Sequence, residues 1–350
     1  MKNGIEIGII GAGWWACANH LPALLSNRYV DGISVNRPDE VGLNTIIEKF
    51  PDCHAFADTQ EMLEKRPLAG VIISSPHIWH ARHAKLCIDL KIPVMIEKPM
   101  ATNAQDAAEI VDLAARLNVP ILISYGWNFS FIAKTACDII RKGWIGDVRH
   151  ISCTIATATA DLFSGLQHSK TEGHLFRPPA STWATATEAG GFGWGQLSHA
   201  LGLLFLLVDK APTAAFARMN TSPANVDWYD AAVVVLENGA NVVLSGAATV
   251  PDHCRKQLEL RLFGTDGMLL IDFERARVEA HSKSGRSYFA DLPPGAGSYE
   301  CIKPVTRFVD ICRGKKVYNP ANGILGQRTV GVLDAMYRSS ISGHMEAIEA

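Results

Sequence analysis

The sequence predicts an α/β protein in two parts. Residues 1–125 form a doubly wound parallel sheet, and residues 126–350 an α+β unit on a large, mostly antiparallel open sheet. Three observations predict this. The first third alternates short apolar runs with helical patterns. A pair of glycines closes its first apolar run, where a phosphate-binding turn belongs. After Tyr125 the alternation gives way to long alternating strands. A chain of 350 residues with 48% hydrophobic and 19% charged content suits two well-buried globular units.

The elements follow in order. Ile5 to Ile10 is an apolar strand, with a helix around Trp15 to Leu25. Tyr29 to Asn36 is the second strand, and Pro38 suits the first turn of the next helix. Asp58 with Glu61 forms a capping box for the helix through Lys65, and Thr102 with Gln105 forms another before an Ala-rich helix. Gly70 to Ser74, Val94 to Glu97 and Pro120 to Tyr125 supply the remaining strands of the first unit. A helix near Ile132 to Lys142 then leads into strands at Val148–Thr157, Ala211–Met219, Ala231–Leu236 and Val242–Ala247. Asn238-Gly239 marks a hairpin between the last two. Two more strands, Gln257–Phe263 and Met268–Phe273, flank a turn at Gly264–Gly267. Residues 160–188 have no clear period, but their aromatic residues favour an ordered, functional loop.

Charge and cysteine content narrow the function. A formal net charge of −2 with scattered basic residues gives no footprint for nucleic acid or an anionic membrane. No apolar run approaches the ~20 residues that span a bilayer, and no basic-then-apolar leader opens the chain. The eight cysteines are dispersed, with no Cys-x-x-Cys, which fits buried thiols in a reducing, cytoplasmic setting. His77, His80 and His83 recur at spacings of three but bring no carboxylate or cysteine with them, so no metal site is expected.

The chemistry sits at strand ends. Gly11-x-Gly13-x-x-Ala16 follows a strand and opens a helix: Gly11 permits the turn, Gly13 lets a pyrophosphate approach the backbone, and Ala16 allows close helix–strand packing. Free N–H groups at the helix start favour the anion. This predicts an NAD(P) site of Rossmann type. Trp14 and Trp15 flank the cofactor or pack in the core. The next strand ends in Asn36-Arg37 rather than an acid, which removes repulsion of a 2′-phosphate, offers it a guanidinium and leans the choice to NADP; Asp39 nearby opposes. Glu97-Lys98-Pro99 ends another parallel strand, where Lys98 can polarise a substrate hydroxyl and Pro99 offers a cis peptide.

Gly8-Ile9-Ile10-Gly11-Ala12-Gly13, Ser75-Pro76-His77-x-x-His80 and Glu97-Lys98-Pro99 together resemble the glucose–fructose oxidoreductase / inositol dehydrogenase / MocA family. Gly143-Trp144-Ile145-Gly146-Asp147-Val148 and Gly190-Gly191-x-Gly193 before His199 add to the resemblance. It implies that Lys98 and His199 are catalytic and that Ser75, Pro76, His80 and Glu97 lie at the cofactor. It also implies a sugar, cyclitol or related polyol as substrate and subunit contacts through the open sheet, as a homodimer or homotetramer. Arg177 and Trp183 in the long loop can clamp and stack on a sugar ring; Gln196 beside the histidine and Asn128, just past the division, join the substrate contacts. Members usually carry an Asp four residues before the histidine, but here Gly195 stands there. Proton handling then falls on His199 with Lys98, helped by Glu188. Two rival classes share these motifs: a redox-assisted lyase or glycosidase with retained NAD, and a non-catalytic sugar or nucleotide sensor. Exchangeable cofactor turnover separates the first, and any turnover the second.

Overall fold

The computed structural model describes residues 4–168, 171–293 and 295–349. Its first unit runs β1 (Ile5–Ile10), α1 (Leu21–Leu25), β2 (Val30–Asn36), α2 (Glu40–Lys49), β3 (Cys53–Phe56), α3 (Thr59–Lys65), β4 (Leu68–Ile73), α4 (His80–Asp89), β5 (Val94–Ile96), α5 (Ala104–Leu117) and β6 (Ile121–Ile123). All pairings are parallel, in the order β3-β2-β1-β4-β5-β6. The chain therefore reverses direction across the sheet between β1 and β4, and a crevice opens beyond their carboxyl ends.

Local capping follows the sequence at Asp58, which accepts from the Glu61 N–H at 2.8 Å. It departs at α5. There Asn103, not Thr102, is the cap: its backbone is extended at the helix entry, and its side-chain oxygen accepts from the Asp106 N–H at 2.8 Å. At α2 the cap is Asp39, and Pro38 precedes the helix rather than starting it.

The second unit contains α6 (Phe131–Arg141), β7 (Val148–Ala156), short helices α7 (Ala160–Phe163) and α8 (Ala180–Ala184), and α9 (Ser198–Leu207). Strands β8 (Pro212–Thr221), β9 (Asp227–Leu236), β10 (Asn241–Ala247), β11 (Gln257–Gly264), β12 (Gly267–Asp272), β13 (Arg277–Ser282) and β14 (Ser287–Asp291) follow. The chain ends with α10 (Ile302–Cys312), α11 (Gly323–Ser342) and β15 (Glu346–Ala347). The nine-stranded sheet is antiparallel except where β7 pairs parallel with β10. Helices α6, α9 and α11 cover one face, whose side chains, such as Ile151, Val234, Leu260 and Ile271, are fully buried. On the other face Tyr229, Val233, Val243, Phe263 and Phe289 are exposed.

The division at residue 125 is crossed once more by α10. Its Val305, Phe308 and Val309 enter the core that holds Ile7, Ile9 and Ile72 of the first sheet. Gly70 on β4 leaves room for this: a Cβ there would lie 2.8 Å from the Phe308 ring. The last helices thus tie the second unit back onto the first.

Candidate active site

A cleft of about 710 Å³ opens at the β1/β4 reversal and runs between the two units. Gly11 has φ +80°, and a Cβ on it would lie 2.4 Å from the Ser75 backbone, so the β1 turn can press against the β4 loop only as glycine. A Cβ on Gly13, by contrast, would meet only the Gly11 carbonyl within 4 Å. That open backbone, followed by a helix start and the fully buried Ala16, is the cradle a pyrophosphate requires, and these residues fit a dinucleotide. The cleft is lined here by Gly11, Gly13, Trp14, Trp15, Ser75 and Pro76.

At the ribose end Arg37 lines the cleft, but Asn36 does not. The Asn36 amide donates to the carbonyls of Phe56 and Ala57 and accepts from the Thr59 hydroxyl. Its hydrogen-bonding capacity is spent on the β3–α3 connection, so the expectation that it faces the cofactor is corrected. Arg37 pairs with Asp39 at 3.0 Å, and its guanidinium lies 4.3 Å from the centre of the Phe176 ring. Arg177 follows Phe176 and lines this cleft too. Its neighbour Phe176 is the ring that stacks on Arg37.

The carboxyl end of β5 holds the other charges. Glu97 is buried and accepts from Trp15 Nε1 at 3.0 Å, His20 Nε2 at 2.8 Å and the Lys98 N–H at 3.2 Å. Burial alone would push its carboxyl up; the bond and charge of His20 and the charge of Lys98 bring it below the ordinary carboxylate range. The Lys98–Pro99 peptide is cis. Lys98 is 8% exposed and donates from Nζ to the Gly195 carbonyl at 2.8 Å. Burial lowers its pKa to about 8, against the raising charge of Glu97, with Lys256 adding to the fall. His80 lies between the carbonyls of Ser75 (2.6 Å) and Pro99 (2.7 Å), so it couples the β4 loop to the segment after Lys98.

The facing wall comes from the second unit. Gly193–Leu197 forms a wide helical turn that runs straight into α9 and delivers Gln196 and His199. Asp227 on β9 anchors it, accepting from the Gly193 N–H at 2.6 Å and from the Tyr337 hydroxyl. A Cβ on Gly195 would lie 2.8 Å from the Phe163 ring and 3.3 Å from Trp183, so no side chain fits there. His199 is surrounded edge-on by Tyr299 (5.0 Å between centroids), Trp127 (5.4 Å) and Tyr125 (6.5 Å). Burial, then the charges of Lys98 and Lys256, hold its pKa well below the ordinary histidine value, so the ring is neutral at pH 7.

Lys98, Trp183, Gln196 and His199 are therefore brought together as expected, with Glu97 and His80 beside them. Asn128 is not. Its amide donates to the carbonyls of Gly202 in α9 and of Pro320 before α11, which makes it a brace between that helix and that turn, and it does not line the cleft. Glu188 does not line the cleft either. Sequence reasoning missed Trp127, Lys256, Tyr299 and His77. His77 Nδ1 bonds to the Ala189 carbonyl across the two units, so that nitrogen carries the hydrogen; burial lowers its pKa to about 3. His77 was legible beside Ser75-Pro76, whereas Lys256 and Tyr299 sit in segments with no motif.

Family models match both halves of the chain: "Oxidoreductase family, NAD-binding Rossmann fold" over residues 5–125, and the "GFO/IDH/MocA C-terminal domain" over residues 133–270. The chain belongs to the Gfo/Idh/MocA family. It is an NAD-binding oxidoreductase. Among curated relatives, a 1-carboxy-3-chloro-3,4-dihydroxycyclohexa-1,5-diene dehydrogenase of Comamonas testosteroni is 25% identical over 81% of this chain and 70% of its own. The scyllo-inositol 2-dehydrogenase (NADP(+)) IolW of Bacillus subtilis is 22% identical over 85% and 78%. The solved levoglucosan dehydrogenase in complex with NADH and levoglucosan shares the fold, with TM-score 0.80, 16% identity, and 99% and 100% of the two chains covered.

The depressed Lys98 value is directly measurable. With lysines labelled at the ε-carbon, one resonance should titrate near pH 8 and be missing from Lys98→Met; a spectrum in which every lysine titrates near the ordinary ~10.4 would contradict this environment.

Proposed function

We propose that the chain transfers a hydride between a nicotinamide cofactor and a hydroxyl-bearing carbon of a sugar, cyclitol or related polyol. The observation that carries this is the meeting of Lys98 and His199, one from each unit, in the cleft that begins at the Gly11–Gly13 turn. The relatives' activities on a dihydroxycyclohexadiene and on scyllo-inositol support the substrate class.

Bound nicotinamide would supply the hydride acceptor or donor. The protein handles the proton and the charge. Neutral His199 takes the hydroxyl proton, and the Lys98 ammonium, aimed by the Gly195 carbonyl, stabilises the alkoxide oxygen as it forms. In the reverse direction His199 returns the proton to the alkoxide. Gln196 can hydrogen-bond a neighbouring hydroxyl but cannot act as a base. The aromatic rings of Trp127, Trp183 and Tyr299 exclude water around these groups and give a sugar ring its apolar faces.

The site works in a reducing, cytoplasmic setting in this reading, in keeping with eight free cysteines. The lean to NADP now rests on Arg37 alone, since Asn36 is turned away. The Arg37 guanidinium is the group that would meet a 2′-phosphate, with Asp39 competing for it. The exposed apolar face of the nine-stranded sheet is covered by a second copy of the chain, giving a homodimer or a tetramer.

Three outcomes are expected. Lys98→Ala should lower turnover at least ~10²-fold on whichever of a panel of pyranoses and inositols proves to be a substrate, with cofactor affinity little changed; near-normal turnover would refute the mechanism. Asp39→Asn should raise the NADP/NAD ratio of kcat/KM several-fold, and Arg37→Ala should lower it about tenfold. A ratio indifferent to both changes means this strand end does not read the ribose. Light scattering in dilute solution should give twice or four times the chain mass, and a clean monomer would contradict the sheet-face contact.

A further inference from the structure

Two carboxyl groups lie under the turn that delivers His199. Asp227 and Asp230, both on β9, are each 4% exposed. Asp227 has a donor on each oxygen: the Gly193 N–H at 2.6 Å on Oδ2 and the Tyr337 hydroxyl at 2.7 Å on Oδ1. Asp230 is the reverse. Both of its oxygens are sealed from solvent, and no N–H or hydroxyl of the described residues donates to either. The group within hydrogen-bonding reach of it is the Asp227 carboxylate.

The packing around the pair supplies no cation among the described residues. The strand partners of Asp230 are Met219 on β8 and Gly246 on β10. Phe192 lies over Gly246, and Met219 and the Tyr337 hydroxyl bound the space over Gly193. Tyr337, on α11, is stacked on Trp194 of the turn, with 5.3 Å between centroids and 7° between planes. Burial, then the charges of Asp227 and Asp230, push its hydroxyl well above the ordinary tyrosine value, so it stays a donor. Arg338 beside it is paired with Asp334 and Glu346, and Asp161 on α7, which packs against β9, is bonded to His168.

Two neighbouring carboxyl groups buried without a cation do not both ionise. Asp227 carries the charge, because two donors already converge on it, and Asp230 keeps a proton. Burial first, and then the Asp227 charge, raise the Asp230 pKa well above the ordinary carboxyl value. A neutral carboxylic acid is a donor as well as an acceptor, so its proton can go to Asp227 and leave neither group short of a partner. Gly193 opens the wide turn that runs into α9, so this pair sets where Gln196 and His199 stand.

We propose that Asp230 is a positioning residue: a protonated carboxylic acid that donates to Asp227 and so holds the Gly193–Leu197 turn, and with it His199, in the cleft with Lys98. The positioning role rests on the hydride-transfer reading above, whereas the shared proton does not.

The proton is tested without turnover. With aspartates labelled at the side-chain carboxyl carbon, one resonance of the full chain should keep its protonated position at pH 7 and be absent from Asp230→Asn. A spectrum in which every aspartate is ionised overturns the proposal. A carboxyl whose pKa is higher in the folded chain than the ordinary ~3.9 loses stability for the fold as pH rises from that value to the folded one. The melting temperature of the wild type should therefore fall relative to that of Asp230→Asn over this range; a difference that stays constant or moves the other way overturns the proposal too. On whichever polyol is turned over, Asp230→Ala should lower kcat about tenfold to a hundredfold with the cofactor KM little changed, the scale set by a small misplacement of a reacting group. Asp230→Asn, whose amide still donates to Asp227, should recover most of that loss. An unchanged kcat in Asp230→Ala, or an asparagine variant as slow as the alanine one, refutes the positioning role. If Asp230→Ala does not fold, Asp230→Leu, which keeps the volume and removes the donor, takes its place under the same criteria. A wild type that oxidises no polyol counts against the dehydrogenase reading, while the carboxyl spectrum and the melting curves still decide the shared proton.

Discussion

Glu97 is buried yet ionised, and the site is arranged around that fact. A lone carboxylate away from water costs several kcal/mol. This one persists because donors converge on it from the helical stretch after Gly13 (Trp15 and His20) and from its own strand end (the Lys98 N–H). The same bonds fix the orientation of the strand end that carries Lys98 relative to the dinucleotide turn. Removing Trp15 or His20 would therefore disturb the lysine as well as the carboxylate, since a buried charge left short of donors must move or take up a proton.

The second unit completes what the first begins. Lys98 leaves β5 and finds its acceptor on the carbonyl of Gly195, and His77 leaves the β4 loop for the carbonyl of Ala189. Both acceptors lie in the glycine-rich stretch before α9. That stretch has unusual backbone, with Ala189 at φ 56° and Gly191 at φ 106°, and it is held in place by Asp227 bonding to Gly193. A Cβ at Gly191 would lie 2.2 Å from the Asp227 carboxylate, so glycine is needed there for Asp227 to reach its partner. The two units are thus registered at the cleft by side chains of the first on main-chain carbonyls of the second.

Electrostatic consequences follow from the same packing. Lys98 and His199 are both depressed in pKa by burial, and each is pushed in the same direction by Lys256. A neutral histidine beside a lysine that titrates about 8 is the combination that accepts a proton and stabilises an oxyanion near neutral pH. The chain reaches it without a carboxylate at position 195, where packing of Phe163 and Trp183 has taken the space.

The sequence by itself determined the parallel sheet, the glycine turn at Gly11–Gly13, and that Lys98 and His199 belong to one cleft. These are set by local rules: strand period, a turn that needs glycine, and strand ends that face the crevice in any doubly wound sheet. Tertiary structure decided the rest. Asn36 and Asn128 were equally plausible polar contacts in sequence, but an amide goes to whichever carbonyls the fold presents, and both were drawn to backbone away from the cleft. Arg37 remained at the ribose end already bound to Asp39, a partner two residues along whose carboxylate only the folded turn brings to 3.0 Å. Lys256 and Tyr299 reach Lys98 from more than 150 positions away, and α10 returns to the first core across a similar distance. Such contacts depend on how two sheets pack together, which no window of neighbouring residues encodes.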